Sequence, residues 1–239
     1  MNALVIDERF CGPPGTGNGG YVCGRIASLI DAPAAEVTLR RPIPLMRPLP
    51  VTIRPDTTLD VHDSETIIAQ AKPEHDLEID LPSPPPYEAA LAAMPRYLGL
   101  TRHNFPGCFV CGTDRQSSDG LRIFAGPLSG DDHRVAAPWT PNGDLADEKG
   151  EVRPEFIWAA LDCPGAFALM GRQPRALLLG RMTARLYGPV SAGEPHMVIA
   201  WKVAVDGRKE IAGSALFSGS GTLKGAAKAI WFDVSRVAS

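Results

Sequence analysis

Polar and apolar residues alternate through Glu36-Val37-Thr38-Leu39-Arg40 and again through Pro50-Val51-Thr52-Ile53-Arg54, the period of strands with one buried face. Residues 58–62 and 65–71 carry the alternation on and predict a hairpin turning at His62-Asp63-Ser64. A short strand is expected at 3–6, ahead of a Gly/Pro-rich loop over 12–20. Two segments depart from this period. A helix of about ten residues is predicted from Asn18 toward Ile30, and a longer one over 156–170. Pro164 should kink or restart the second helix, because proline cannot donate to Ala160. Further strands are predicted at 132–139, 177–187, 197–205, 209–217 and 222–233. The turn between the last pair but one is Val205-Asp206-Gly207-Arg208. Between the two sets lies Leu81-Pro82-Ser83-Pro84-Pro85-Pro86, a stiff connector, with a short helix expected over 87–98.

The two helical segments share a pattern. With Tyr21 laid on Phe156, Asn18 falls on Arg153 and Ala27 on Asp162. One copy keeps glycines at its helix start, Gly19 and Gly20, and the other keeps a carboxylate. Each half runs strand, helix, then three or four antiparallel strands, and such strands must wrap the apolar helix to bury it. The expected class is α+β. Residues 1–81 form an N-terminal half, 82–103 a linker with a short helix, and 104–239 a C-terminal half.

Net charge is -3, from 24 basic and 27 acidic residues, which argues against non-specific nucleic-acid binding. No apolar run approaches the ~20 residues that cross a bilayer, and residues 1–10 lack the apolar stretch of a signal peptide. A cytoplasmic protein is expected. Five cysteines, an odd number, fit reduced thiols better than a disulfide framework.

The stretch Arg153 to Asp162 resembles the central helix of hotdog-fold acyl-CoA thioesterases of the phenylacetate-pathway type, where an acid follows a His-Gly-Gly by the same spacing. Cys108-Phe109-Val110-Cys111-Gly112 and Asp119-Gly120-Leu121-Arg122-Ile123 also resemble a segment seen at the start of such domains. The resemblance covers most of 104–233 and, more weakly, 3–71 through Asn18-Gly19-Gly20 and the strand order. It implies a double hotdog, each half an antiparallel sheet wrapped around a helix. It also implies hydrolysis of an acyl thioester at a composite site. The chain departs from the pattern with Arg153-Pro154-Glu155 in place of His-Gly-Gly, and with Ala27 where the first copy would carry the acid.

In that reading Asp162 is the catalytic carboxylate, attacking the acyl carbon or activating water. A helix start offers free N–H groups and a positive dipole end to an oxyanion. The amides of Gly20 and Tyr21 are the candidates, with Gly19 beside them and Asn18 as polar neighbour or cap. Glu155 stands seven positions before Asp162 and can share its face, although an acid in a first turn also simply complements the dipole. Asp162 itself could instead cap a helix restarting at Pro164. Arg181, Thr183 and Arg185 point the same way along one strand and could meet the phosphates of coenzyme A, or form a solvated sheet face.

Other signals are weaker. Gly12-Pro13-Pro14-Gly15-Thr16-Gly17-Asn18 opens like a phosphate-binding loop but has Asn18 and Gly19 where Lys and Ser/Thr are required. Cys108 and Cys111, with His103 near, lack a second ligand pair at zinc spacing, so no metal is expected. No cofactor is expected beyond coenzyme A as part of the substrate. A non-catalytic acyl or acyl-CoA binding protein, and an acyl-CoA hydratase on the same fold, stand as alternatives. Exposed sheet edges would allow a homodimer.

Overall fold

The computed structural model describes residues 3–235; the outermost positions of the two expected halves, 1–2 and 236–239, lie outside the described residues. The first half supplies β1 (Ala3–Leu4), α1 (Gly19–Ala27), β2 (Ala34–Leu39), β3 (Leu49–Ile53), β4 (Leu59–Asp63) and β5 (Thr66–Glu74). After the proline-rich connector comes α2 (Tyr87–Ala93), followed by two 3-10 turns. The second half supplies β6 (Gly126–Leu128), β7 (Asp131–Trp139), α3 (Pro154–Ala160) and α4 (Cys163–Met170). Four long strands complete it: β8 (Leu177–Leu186), β9 (His196–Asp206), β10 (Lys209–Ser218) and β11 (Leu223–Asp233).

All strands join one antiparallel sheet in the order β1-β3-β4-β5-β2-β8-β11-β10-β9-β7-β6. The halves therefore meet strand to strand where β2 pairs with β8, Val37 opposite Met182. Both of these side chains are fully buried, which fixes the register at the joint. The two outermost strands, β1 and β6, are only two and three residues long, so little unpaired edge is presented.

Helices α1 and α3 pack against each other beneath the joint, in a core that draws residues from both halves. Tyr21 and Phe156 meet there with ring centroids 5.6 Å apart, and Phe10 stacks on Tyr21 at 4.1 Å. Contacts of this kind contribute about 0.5–1.5 kcal/mol each beyond their burial. A separate small cluster, including Ala90 of α2, Ile199 and Phe217, covers the second half's strands elsewhere.

The hairpin predicted around residue 63 is present, with Ser64 at φ 53° in its turn. The long helix predicted over 156–170 is two helices. The chain breaks at Leu161–Asp162, and Pro164 stands in the first turn of α4, where its missing N–H costs nothing. The break frees the Leu161 carbonyl, and Ser214 of β10 donates to it at 2.6 Å. The helix expected over 87–98 likewise ends at Ala93 and continues as 3-10 turns around Pro95.

Candidate active site

Asp162 sits in the break between α3 and α4 and is only 2% exposed. Its side chain does not cap α4. It crosses to the start of α1, where Oδ2 accepts from the Gly20 amide at 2.9 Å and from Asn18 Nδ2 at 3.1 Å. Its other oxygen, Oδ1, is buried with no hydrogen-bond partner among the described residues. Burial pushes the carboxyl up to about 7, against the lowering effect of the Gly20 amide and Asn18; the nearby Cys108 adds to the rise. An orphaned buried carboxylate oxygen is costly to stability.

Glycine makes this approach possible. A Cβ on Gly20 would lie 2.4 Å from Asp162 Cβ and 2.8 Å from the Trp158 carbonyl oxygen. One turn on, a Cβ on Gly24 would lie 2.6 Å from Glu155 Cα. Gly20 facing Asp162 and Gly24 facing Glu155 set α1 and α3 antiparallel, in close backbone contact. Asn18 completes the arrangement as the α1 cap, its Oδ1 accepting from the Tyr21 amide at 2.9 Å.

The sequence candidates separate on this geometry. Asn18, Gly19 and Asp162 line one cavity of about 410 Å³. The Gly20 and Tyr21 amides, expected to face an oxyanion, already have acceptors in Asp162 and Asn18. The Gly19 amide, at the first position of α1, has none among the described residues. Glu155 shares the α1-facing side with Asp162 but stands at the opposite end of the helix pair, beside Arg153 and outside the cavity. Tyr21 is buried in the aromatic cluster, its hydroxyl accepting from Arg25. Arg181 and Arg185 do not line the cavity. They brace the joint between halves: Arg181 donates to Thr38 at 3.0 Å, and Arg185 pairs with Asp76 at 2.7 Å.

Several cavity residues carried no signal in the sequence. Phe105, Phe167, Met170, Leu179 and Trp231 give it apolar walls, and exposed Arg41 and Arg102 stand on its rim. The indole N–H of Trp231 is buried without a partner among the described residues. Cys163, next to Asp162 in sequence, joins Cys108 and Cys111 in the same wall, all three thiol sulfurs lying within 4.8 Å of one another. Cys108 is held well below the usual thiol range by hydrogen bonds from Cys111 and then Cys163, which outweigh its burial; the other two thiols are pushed up.

Solved structures of like shape identify the class: this is a hotdog fold. A conserved protein of unknown function with hot dog fold from Alicyclobacillus acidocaldarius is similar at TM-score 0.61 and 10% identity, over 97% of this chain and 92% of that one. A putative thioesterase from Novosphingobium aromaticivorans is similar at TM-score 0.61 and 12% identity, over 96% and 94%. The TesB protein of Mycobacterium avium subspecies paratuberculosis is similar at TM-score 0.58 and 14% identity, over 93% and 89%. At such identities the likeness establishes the fold. No protein-family model matches the chain, and no curated protein matches it.

Proposed function

We propose that the chain is a double hotdog, units 1–81 and 104–239 joined by the linker 82–103, that hydrolyses an acyl thioester of coenzyme A at one composite site. The observation that carries this reading is the Asp162 carboxylate, held by Asn18 and Gly20 of the other unit at a cavity wall with one oxygen unpaired. The resemblance of Arg153–Asp162 to a thioesterase helix supports it, as do the names of the proteins of like shape.

In this mechanism Asp162 takes a proton from water as its oxygen adds to the thioester carbon. The carbonyl oxygen turns negative and is met by the free Gly19 amide at the positive end of α1. Collapse breaks the carbon–sulfur bond, and the proton passes to the departing thiolate, leaving a carboxylic acid and free coenzyme A. The apolar walls take the acyl group, and Arg41 and Arg102 on the rim meet the phosphates. The occupied amides of Gly20 and Tyr21 favour a second reading, an acyl-CoA binding protein without turnover.

Thiol release from a panel of acyl-CoA esters, by the native chain and by Asp162→Asn, separates the two. Hydrolysis reduced by about 10²-fold or more in the variant is expected, the usual scale for a general base. Tight binding with no release by the native chain would replace catalysis with the second reading.

A further inference from the structure

We propose that Cys108, Cys111 and Cys163 bind a thiophilic divalent cation, zinc by preference, through three thiolates with the fourth position open to the cavity. The three sulfurs come from two separate parts of the chain, a turn ahead of β6 and the first residue of α4, and converge within 4.8 Å. Cys108 and Cys163 are 3.7 Å apart. Two sulfurs on a tetrahedral zinc with bonds of ~2.3 Å are separated by about 3.8 Å, so the Cys108–Cys163 pair already stands at ligand spacing. Soft thiolate donors in this number select soft metals over hard ones.

The surroundings are those of a ligand site. The Cys108–Cys111 turn is closed by the Gly112 amide donating to the Cys108 carbonyl at 2.9 Å. Only glycine fits that corner, since a Cβ on Gly112 would lie 2.4 Å from the carbonyl oxygens of Cys108 and Pro106. The Cys111 carbonyl is anchored by the Tyr97 hydroxyl at 2.9 Å and by His103 Nε2 at 3.0 Å, so His103 orients the turn and is not itself a ligand. Asn18 Nδ2 lies 3.7 Å from Cys108 Sγ and 3.8 Å from Cys163 Sγ, an N–H donor placed to support thiolate charge. Three protein ligands plus an open position is the form of a catalytic rather than a structural zinc site. All three cysteines line the same cavity as Asp162, so an open position there would share the space where water or the thioester would stand.

The inference does not depend on hydrolysis, because occupancy is read without turnover. The full chain, purified under reducing conditions and stripped with a chelator, is titrated with cobalt(II) alone. One equivalent giving tetrahedral ligand-field bands with a thiolate charge-transfer band is expected, displaced by zinc. Cys111→Ser or Cys163→Ser should lower the charge-transfer band by at least one thiolate's share and weaken cobalt uptake, and Cys11→Ser, outside the cluster, should leave both unchanged. Since a variant could fail to fold, X-ray absorption of the native zinc-loaded chain is the second measurement. Three sulfurs at ~2.3 Å with one light atom are expected. No cobalt uptake by the reduced native chain, or a first shell with fewer than three sulfurs, would overturn the site.

Discussion

Asn18 does two jobs with one amide group. Its oxygen satisfies the Tyr21 amide at the start of α1, and its nitrogen holds Asp162 Oδ2. Replacing it with alanine removes a helix cap and leaves a buried carboxylate short of a donor. Asn18→Ala should therefore lower stability by about 1–2 kcal/mol, read as a fall in the urea midpoint at constant slope. Asn18→Asp keeps the cap but sets a second acid against the first, so it should not restore the native midpoint. An unchanged midpoint in both variants would show that the contact carries no load. At this scale Asn18, Gly19 and Asp162 were singled out, because one helix start keeps the glycines and the other helical segment keeps the acid. Cys163 was not, since its link to Cys108 spans 55 residues and no local spacing encodes it. The amides of Gly20 and Tyr21, expected to face an oxyanion, meet Asp162 and Asn18 for a related reason. A sequence shows that a helix start has free donors, but not which distant side chain takes them.

The α1–α3 pair rests on two glycines one turn apart, a small-residue face that brings two backbones together. A side chain at Gly24 would strike the Glu155 backbone and Trp158 Cβ at 2.8 Å, neither of which can swing aside. Gly24→Ala should cost about 1–3 kcal/mol, the usual penalty for overpacking, despite alanine's better helix propensity. A thermal melt at or above the native midpoint would contradict this close pairing. Most strands were legible because alternation survives wherever one face is buried; β9 was expected at 197–205 and runs His196–Asp206, whereas the three-residue β6 is too short to carry a period and was not expected. The helix break was half legible. Pro164 announced it, but its place at Asp162 depends on Ser214 satisfying the Leu161 carbonyl, a contact across 53 residues.

Across the whole molecule, two pairs of arginines stand in different surroundings. Arg181 and Arg185 are spent on Thr38 and Asp76 at the joint of β2 and β8, and Arg41 and Arg102 stand on the cavity rim. If the rim meets coenzyme A, the double change Arg41→Ala with Arg102→Ala should raise KM for a CoA ester by about 10-fold, the worth of one charge-assisted contact. The same pair should leave a short thioester lacking the nucleotide unaffected. Arg181→Ala with Arg185→Ala should leave both KM values alone, and the opposite pattern would move the phosphate site to the joint. The likeness of the two helix starts is what suggests two units, and the sequence partitions the glycines and the acid between them. That partition governs biosynthesis too. The carboxylate and the amide that grips it are 142 residues apart, so a ribosome-bound chain short of residue 162 lacks the partner that α1 holds at its start. That contact therefore forms late in translation, and a prematurely ended chain never makes it.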